Sequence, residues 1–516
     1  MRYKYLKIAA VAGLIVVAGC KKSFLDVPPQ GELTEELALK DPQAAEKLVG
    51  GVYNTLYFGG FGGNTVGFLW QLTNDVASDD ADKGSTPGDF NTGGIGDIDN
   101  FRHDANNFIF NNIWTGHYSA ITRANKAIDI LNQSTFDAAR KNRLLGEVRF
   151  LRGLYYFNLV RFFGGVPQID RALTPAEANS DVAQTRATKE QIYALATADL
   201  EFAAANLPWK GDANAVTGRA TKGAAHAYLA KVYMYLKDWQ KSFTNAQTVI
   251  NSGRYQLVSD YATIFREKAQ GGPTAGGNNN AESIFEVQTG INAGENAVSP
   301  LFSNGQGPRG RGGWNDLGFG FNVPTTDLVA SYETGDTRDE GTIIFINPTV
   351  APNGPNNIGT VLWDGYRLPT KDSVENERYS YKAYHSPLAE SPQLTSNKDT
   401  KPKNIRLMRY AEVLLIYAEA AANLNNVGEA TAKLNSVRTR ANLPASTGTI
   451  ANIWKERRNE LALEADRFFD LVRQGRAGQV LRAHGKPFVD GKHEVFPIPQ
   501  AQRDLSGGRL GQNPGY

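Results

Sequence analysis

The chain has 516 residues, 55 lysines and arginines against 53 aspartates and glutamates, and one cysteine, Cys20. That length suits one large domain or two of average size. The near balance of charge gives no support to nucleic-acid binding, which needs a clustered basic surface, and a single cysteine excludes an intrachain disulfide.

The chain opens with a basic head, Arg2, Lys4 and Lys7, followed by an apolar run from Ile8 to Ala18. A bilayer-spanning helix needs about 20 apolar residues, so this run reads as a secretory signal peptide over residues 1–19. Val16-Val17-Ala18-Gly19-Cys20 resembles a bacterial lipobox, in which the cysteine is acylated and becomes the mature N-terminus. Several acyl chains give stable attachment where one gives only marginal binding. Residues 20–35, with Pro28, Pro29 and Gly31, read as the lipidated N-terminus and a tether. Loss of the leader's three cations takes the formal charge from +2 to about −1.

Asp41 to Tyr57 is expected to be a helix: Asp41 caps, Pro42 suits the first position, and Leu48, Val52 and Leu56 share a face. Phe68 to Ser78 is a second short helix. The Gly-, Asp- and Asn-rich stretch from Asp79 to Asn100 is expected to be a long loop, a rare and often functional feature. Helical periodicity resumes from Asn107 to Leu131. The next helix, from about Phe136, is apolar nearly all round between Arg149 and Phe163, which predicts burial on most sides. Gly164, Gly165 and Pro167 end it. Thr188 to Leu207 is another helix, and Thr221–Leu236 with Trp239–Asn251 form a hairpin closed by Lys237-Asp238. Such hairpins are the unit of tetratricopeptide arrays, with a period of about 34 residues.

The stretch from about Tyr255 to Lys403 changes character. Glu282–Gln288 and Thr342–Ile346 read as strands, Pro324–Tyr332 as a short helix, and Gly- and Pro-rich loops separate them. Helices are expected again from Asn404, then over Glu429–Arg440, and as one long helix over Ile450–Arg473. Arginines interleave the glutamates of that helix, which reads as structural ion pairing at i,i+3 spacing.

Four blocks, in order, carry a family resemblance: GEVRFLRGLYYFNLVRFFGGVP from Gly146, GRATKGAAHAYLAKVYMYLKDW from Gly218, NIRLMRYAEVLLIYAEAA from Asn404 and ERRNELALEADRFFDLVR from Glu456. With the lipobox, the FLDVPP segment and the closing PIPQ and QNPGY, the chain resembles the SusD/RagB family of bacterial surface lipoproteins. The resemblance implies a mainly α fold: about four tetratricopeptide-like helical pairs with an irregular, loop- and strand-containing insertion. It implies one domain over 36–516, with scaffold at about 36–254 and 404–475 and a ligand-binding part at about 255–403. It implies binding without catalysis: capture of oligo- or polysaccharides at the outer membrane, facing the cell exterior, for delivery to a SusC-like TonB-dependent transporter. No cofactor is implied. Capture of peptides on the same scaffold, and a periplasmic tetratricopeptide-type assembly factor, are the alternatives.

Glycosidic hydrolysis would need two carboxylates about 5–10 Å apart across the scissile bond. Asp75, Asp79, Asp80 and Asp82 are the obvious cluster, and a solvated loop is the simpler reading. The six histidines show no ligand spacing, and Asp97-x-Asp99-Asn100 lacks the rest of a calcium loop, so no metal site is expected. Arg309-Gly310-Arg311-Gly312-Gly313 reads as a flexible loop. Sugars offer C–H faces to aromatic rings and hydroxyls to planar polar groups. On that basis the glycan-contacting candidates are Trp314 with Asn315, in a Gly-rich loop where family members place a tryptophan, then Trp363 with Tyr366 and Arg367, then Tyr384, Phe90 and Asp79. The other tryptophans lie in or beside helices, where core packing explains them.

Overall fold

The computed structural model describes residues 35–268, 276–291, 297–298, 301–311, 317–346, 359–392 and 401–516. Cys20, Trp314 and Asn315 lie outside the described residues. The chain is mainly helical, with a tetratricopeptide-like scaffold. In chain order come α1 (Glu35–Lys40), α2 (Pro42–Tyr53), α3 (Phe68–Val76), β1 (Ala81–Gly84), α4 (Ile95–Asp99), α5 (Phe108–Gln133), α6 (Ala138–Phe163), α7 (Lys189–Asn206), α8 (Lys222–Tyr235) and α9 (Trp239–Asn251). Then follow β2 (Ser283–Val287), α10 (Phe302–Gln306), β3 (Phe321–Pro324), α11 (Thr326–Ser331), β4 (Ile343–Phe345), β5 (Arg378–Ser380) and β6 (Ile405–Arg409). The C-terminal part holds α12 (Tyr410–Asn423), α13 (Val427–Arg440), α14 (Ile450–Leu461), α15 (Arg467–Arg473), α16 (Ala477–Ala483) and α17 (Gln500–Leu505).

Local chemistry starts the scaffold helices where the sequence places them. Asp41, Asn107, Asp137, Thr188, Thr221, Asp238, Asn426 and Thr449 each accept a hydrogen bond from a backbone N–H of the first turn. Each such cap is worth about 1 kcal/mol. The helices α5, α6, α7, α8, α9, α12 and α13 pack successively, and α14 lies on α12. From Leu144 to Phe163 nearly every residue of α6 is buried, so its all-round apolar surface is matched by neighbours on every side. Its guanidiniums are compensated: Arg152 forks onto Asp199 at 2.7 and 2.8 Å, and Arg161 lies against the Phe157 and Phe469 rings and near Asp466.

Three antiparallel strand pairs tie distant segments together: β1 with β3, β2 with β6, and β4 with β5. Two expectations fail here. Residues 405–409 form a strand rather than the start of a helix, because Ile405–Arg409 pairs with β2 before α12 begins. The long helix expected over 450–473 is two helices. Leu463 and Ala465 take positive φ values of 62° and 67°, and the freed Ala465 N–H donates to Asp75 at 2.9 Å.

That break lies inside a layer of buried charge. Glu460 meets Arg338 at 3.1 Å, Arg409 at 2.9 Å and Arg440 at 2.6 Å. Arg409 also meets Glu282 and Glu464, and Arg338 also meets Asp336 and Glu456. Arg457 and Arg473 share Asp470, and Lys231 bridges Asp466 and Glu412. The glutamates of α14 are ion-paired, as expected, but mostly with arginines far away in the chain. Of the i,i+3 pairs expected, Asp470–Arg473 forms, at 2.7 Å.

The C-terminal residues are packed into the body. Asn513 donates to the carbonyls of Phe163 and Phe496, Arg186 donates to Asn513 and Gly511, and the Tyr516 hydroxyl meets His103 at 3.0 Å.

Candidate functional site

Phe58 is the base of a glycine-rich loop: its carbonyl accepts from the Val66 and Gly67 N–H groups. Gly59 and Gly63 supply positive φ values of 86° and 72° that an ordinary side chain resists. The loop carries Phe61. The Phe61 ring stacks on Phe90 at 5.2 Å with a 17° tilt, and meets Phe68, Phe319 and Phe321 at 5.1–5.5 Å. Phe90 is 39% exposed and sits at φ 49°, an uncommon backbone state for an aromatic residue. The strain holds because its loop is braced. Lys83 donates to the carbonyls of Thr86 and Asp89, Ser85 donates to Asp89, and Gly96 N–H donates to Phe90 O.

The Phe90 loop is also joined to the segment before Trp314. Arg309 pairs with Asp89 at 2.9 Å and donates to Ser85 at 3.2 Å. Arg311 N–H donates to Ser373 O, and Leu317 N–H donates to Pro308 O at 2.9 Å. Arg311 and Leu317, the described residues on either side of Trp314, are thus both held to the body close to Arg309. Arg309 and Arg311, read in sequence as parts of a flexible loop, are ion-paired with Asp89 and Glu375. Phe61 was missed in sequence. An aromatic residue isolated among glycines, the criterion that selects Trp314, would have selected it.

The Trp363 group lies around a separate cavity of about 550 Å³. Phe265, Ile343, Ile344 and Leu362 form apolar wall, with Trp363, Tyr381, Tyr384 and Lys403 beside them. The Arg266 guanidinium lies 4.2 Å over the Trp363 ring. Tyr381 accepts from Trp363 N–H at 2.8 Å. Tyr384 is buried with its hydroxyl committed to Asp364, so it contributes wall rather than an open platform. Burial brings the Lys403 amine down to about 8. Tyr366 is half-buried against the same apolar cluster, and Arg367 is exposed on a short bridge with Val361.

Asp79 is corrected. It is 2% exposed and held by Arg467 at 2.7 and 2.8 Å and by Arg458 at 2.9 Å. Burial alone would raise its carboxyl; the two arginines bring it to about 2. It is a buried counter-ion to these two arginines. The acidic cluster is likewise no solvated loop: Asp80 pairs with Arg458, and burial pushes Asp75 up to about 7. Asp97 accepts from Gly93 N–H, and Asp99 accepts from Lys83 N–H and pairs with Lys486, so protein groups occupy both carboxylates.

A further ion cluster joins β1, α11 and the residue after α16. His484 lies between Asp327, at 2.5 Å on α11, and Asp82, at 4.0 Å on β1. These two carboxylates raise its pKa above 6.5. A raised histidine stabilises the fold fully below its unfolded value of about 6.5, and the contribution fades as pH rises through the folded value. His484→Gln therefore lowers Tm at pH 5.5, and its gap to the unsubstituted protein narrows toward pH 9. A gap that widens with pH would contradict this assignment.

Comparison with known proteins bears on the family and the fold. Residues 281–516 match the model of the SusD family, and residues 24–234 match a model described as starch-binding and associating with the outer membrane. SusD-like protein P2 of Formosa agariphila is 27% identical, over 99% of this chain and 100% of its own. Among solved structures, a laminarin-binding SusD-like protein superposes with a TM-score of 0.74 at 28% identity, covering 92% of this chain and 99% of that one. Surface glycan-binding protein A from Bacteroides fluxus gives 0.73 at 25% identity, with the same coverage. The two matched segments follow the order of the helical blocks, the SusD match takes in most of the irregular middle, and the chain belongs to the SusD/RagB family.

Proposed function

We propose that this protein captures glycans at the outer membrane and passes them to a SusC-like TonB-dependent transporter, without catalysing a reaction on them. The observation that carries the reading is the Asp89–Arg309 pair. It sets the exposed Phe90, stacked on the half-buried Phe61, beside the described residues that flank Trp314 and Asn315. Aromatic faces next to arginine and carboxylate groups suit a sugar ring, whose C–H face stacks while its hydroxyls exchange hydrogen bonds. The similarity to a laminarin-binding relative supports the ligand class. The Trp363 cavity, at about 550 Å³, falls within the usual range of small-ligand sites and is a second contact point for a branched or longer chain. Anchoring through acylated Cys20, facing the cell exterior, completes the proposal.

Calorimetric titration with laminarin is the test. Phe90→Ala and Trp314→Ala each weaken binding about tenfold or more, which corresponds to about 1.4 kcal/mol. Affinity for laminarin and for a panel of other polysaccharides that is unchanged by both substitutions would remove the platform. Tight binding of peptides instead would move the protein to another ligand class. Co-purification of a β-barrel transporter in mild detergent tests delivery, and loss of palmitate labelling in Cys20→Ala tests the anchor.

A further inference from the structure

One charge at the Trp363 cavity is short of partners. Lys403, just before β6, is 2% exposed and lines that cavity of about 550 Å³. An ammonium carries three N–H donors. That of Lys403 donates to Tyr384 O at 2.5 Å, and no second acceptor lies within hydrogen-bond reach among the described residues. The nearest carboxylate, Glu390, is 3.8 Å away, too far for a hydrogen bond. Its two oxygens are taken, one by Glu267 N–H and the other by Ser386 N–H. Glu267 in turn accepts from Ser391 N–H and lies 3.5 Å from His385. A buried cation held so loosely is costly unless something else reaches it. Burial is what lowers this amine, and at about 8 it stays mostly protonated at neutral pH.

The rest of the lining defines the group that fits. Trp363 is the largest ring there, and the Arg266 guanidinium already covers one of its faces, at 4.2 Å. Arg266 also lies near enough to Lys403 to oppose its charge, so two cations share one part of the cavity. A guanidinium and an ammonium together suit a carboxylate or a sulfate, whose oxygens accept charge-assisted hydrogen bonds. Phe265, Ile343, Ile344 and Leu362 supply apolar wall for the body of the same ligand. Asp260 and Glu340 also line the cavity, and both are exposed. Exposed charges are screened by salt far more than buried ones. They therefore leave the attraction of Lys403 for one anion in place, while a chain acidic at every unit meets their repulsion along its length.

We propose that the Trp363 cavity takes an acidic sugar unit, a uronate or a sulfate ester, whose anionic group meets the Lys403 ammonium while its ring lies on the apolar wall. This rests on the reading of the protein as one that captures glycans. It adds a preference for chains that carry isolated acidic units.

Nuclear magnetic resonance on the nitrogen-15-labelled protein tests this, through the indole N–H signal of Trp363, assigned by its loss in Trp363→Phe. Glucuronate or glucose 6-sulfate shifts that signal with an affinity at least about fivefold above that of glucose, the scale of one charge-assisted hydrogen bond. The tighter of the two identifies the acidic group. Lys403→Met keeps the apolar stem and removes the preference. Asp260→Asn together with Glu340→Gln, both at the surface, raises affinity for the acidic sugar about twofold or more at low salt. Glucose binding as tightly as both acidic sugars overturns the inference. So does a preference that survives Lys403→Met, or a signal that none of the three sugars moves. If Lys403→Met does not fold, the surface pair decides alone, and unchanged affinity there overturns the inference. The two readings fail separately. A protein that binds laminarin but prefers no acidic sugar at Trp363 loses this inference only, and one that binds glucuronate but no polysaccharide loses the capture reading.

Discussion

Glu460→Gln lowers the free energy of unfolding by about 3–5 kcal/mol, the range for breaking a buried charge pair from one side. Glu460 is fully buried on α14 and neutralises Arg338, Arg409 and Arg440 together. The substitution keeps the volume and removes one negative charge, so three guanidiniums in a dry layer lose a shared counter-ion. Their other partners, Glu282, Glu456, Glu464 and Asp336, stay in place and bound the loss. Burial would raise the Glu460 carboxyl, but Arg440, Arg409 and Arg338 hold it well below the usual carboxylate range. A depressed carboxylate contributes fully above its unfolded value of about 4.5 and loses the contribution as pH falls through the folded one. Urea denaturation at pH 7 measures the effect as a lower midpoint at constant slope. A loss under about 1 kcal/mol would mean that the charge layer relaxes or hydrates when opened.

Gly116→Ala costs about 1–3 kcal/mol, the price of overpacking a filled interface. Glycine in the middle of a helix is unfavourable by about 1 kcal/mol against alanine, so its presence in α5 needs a cause. A Cβ there would stand 2.1 Å from Thr65 O and 2.5 Å from Thr65 N. Thr65 cannot yield cheaply, because its N–H donates to Asn112 O on the same helix. The displaced segment is the glycine-rich loop that carries Phe61. Gly116→Ala is therefore expected to weaken laminarin binding as well as stability, although residue 116 is buried beneath the surface. Gly50→Ala in α2 is the contrast, since nothing lies within 4 Å of its added Cβ and the helix gains propensity. Equal stability of the two variants would mean the loop is not seated against α5.

The scaffold was readable because its signals are local. Caps such as Asp41 and Thr188, the Lys237-Asp238 turn and the apolar stripes need only neighbours a few residues away. What failed depended on distant partners. Nothing in Leu461–Asp466 reads as a break: there is no glycine or proline, and the interruption exists because Asp75 takes the Ala465 N–H. Ile405–Arg409 looks as helical as it looks extended until β2 is beside it. Asp79 looked available because its neighbours are polar, while Arg458 and Arg467, which hold it, are 379 and 388 residues away. Phe90 was legible as an aromatic in a polar loop, but its stacking partner Phe61 and its brace Arg309 come from two other segments.

The packed C-terminus has a consequence for how the protein comes into being. Among the described residues, Asp79 and Asp80 find their counter-ions in Arg458 and Arg467, and the end of α6 is closed by Asn513. A chain emerging N-terminus first, from a ribosome or through a translocation pore, therefore lacks the charges and the plug that its early helices require. The α-helical hairpins can form as they appear, but the assembled core waits for Arg458, Arg467 and Asn513. Folding of the core is therefore non-local, since it needs contacts that span most of the sequence.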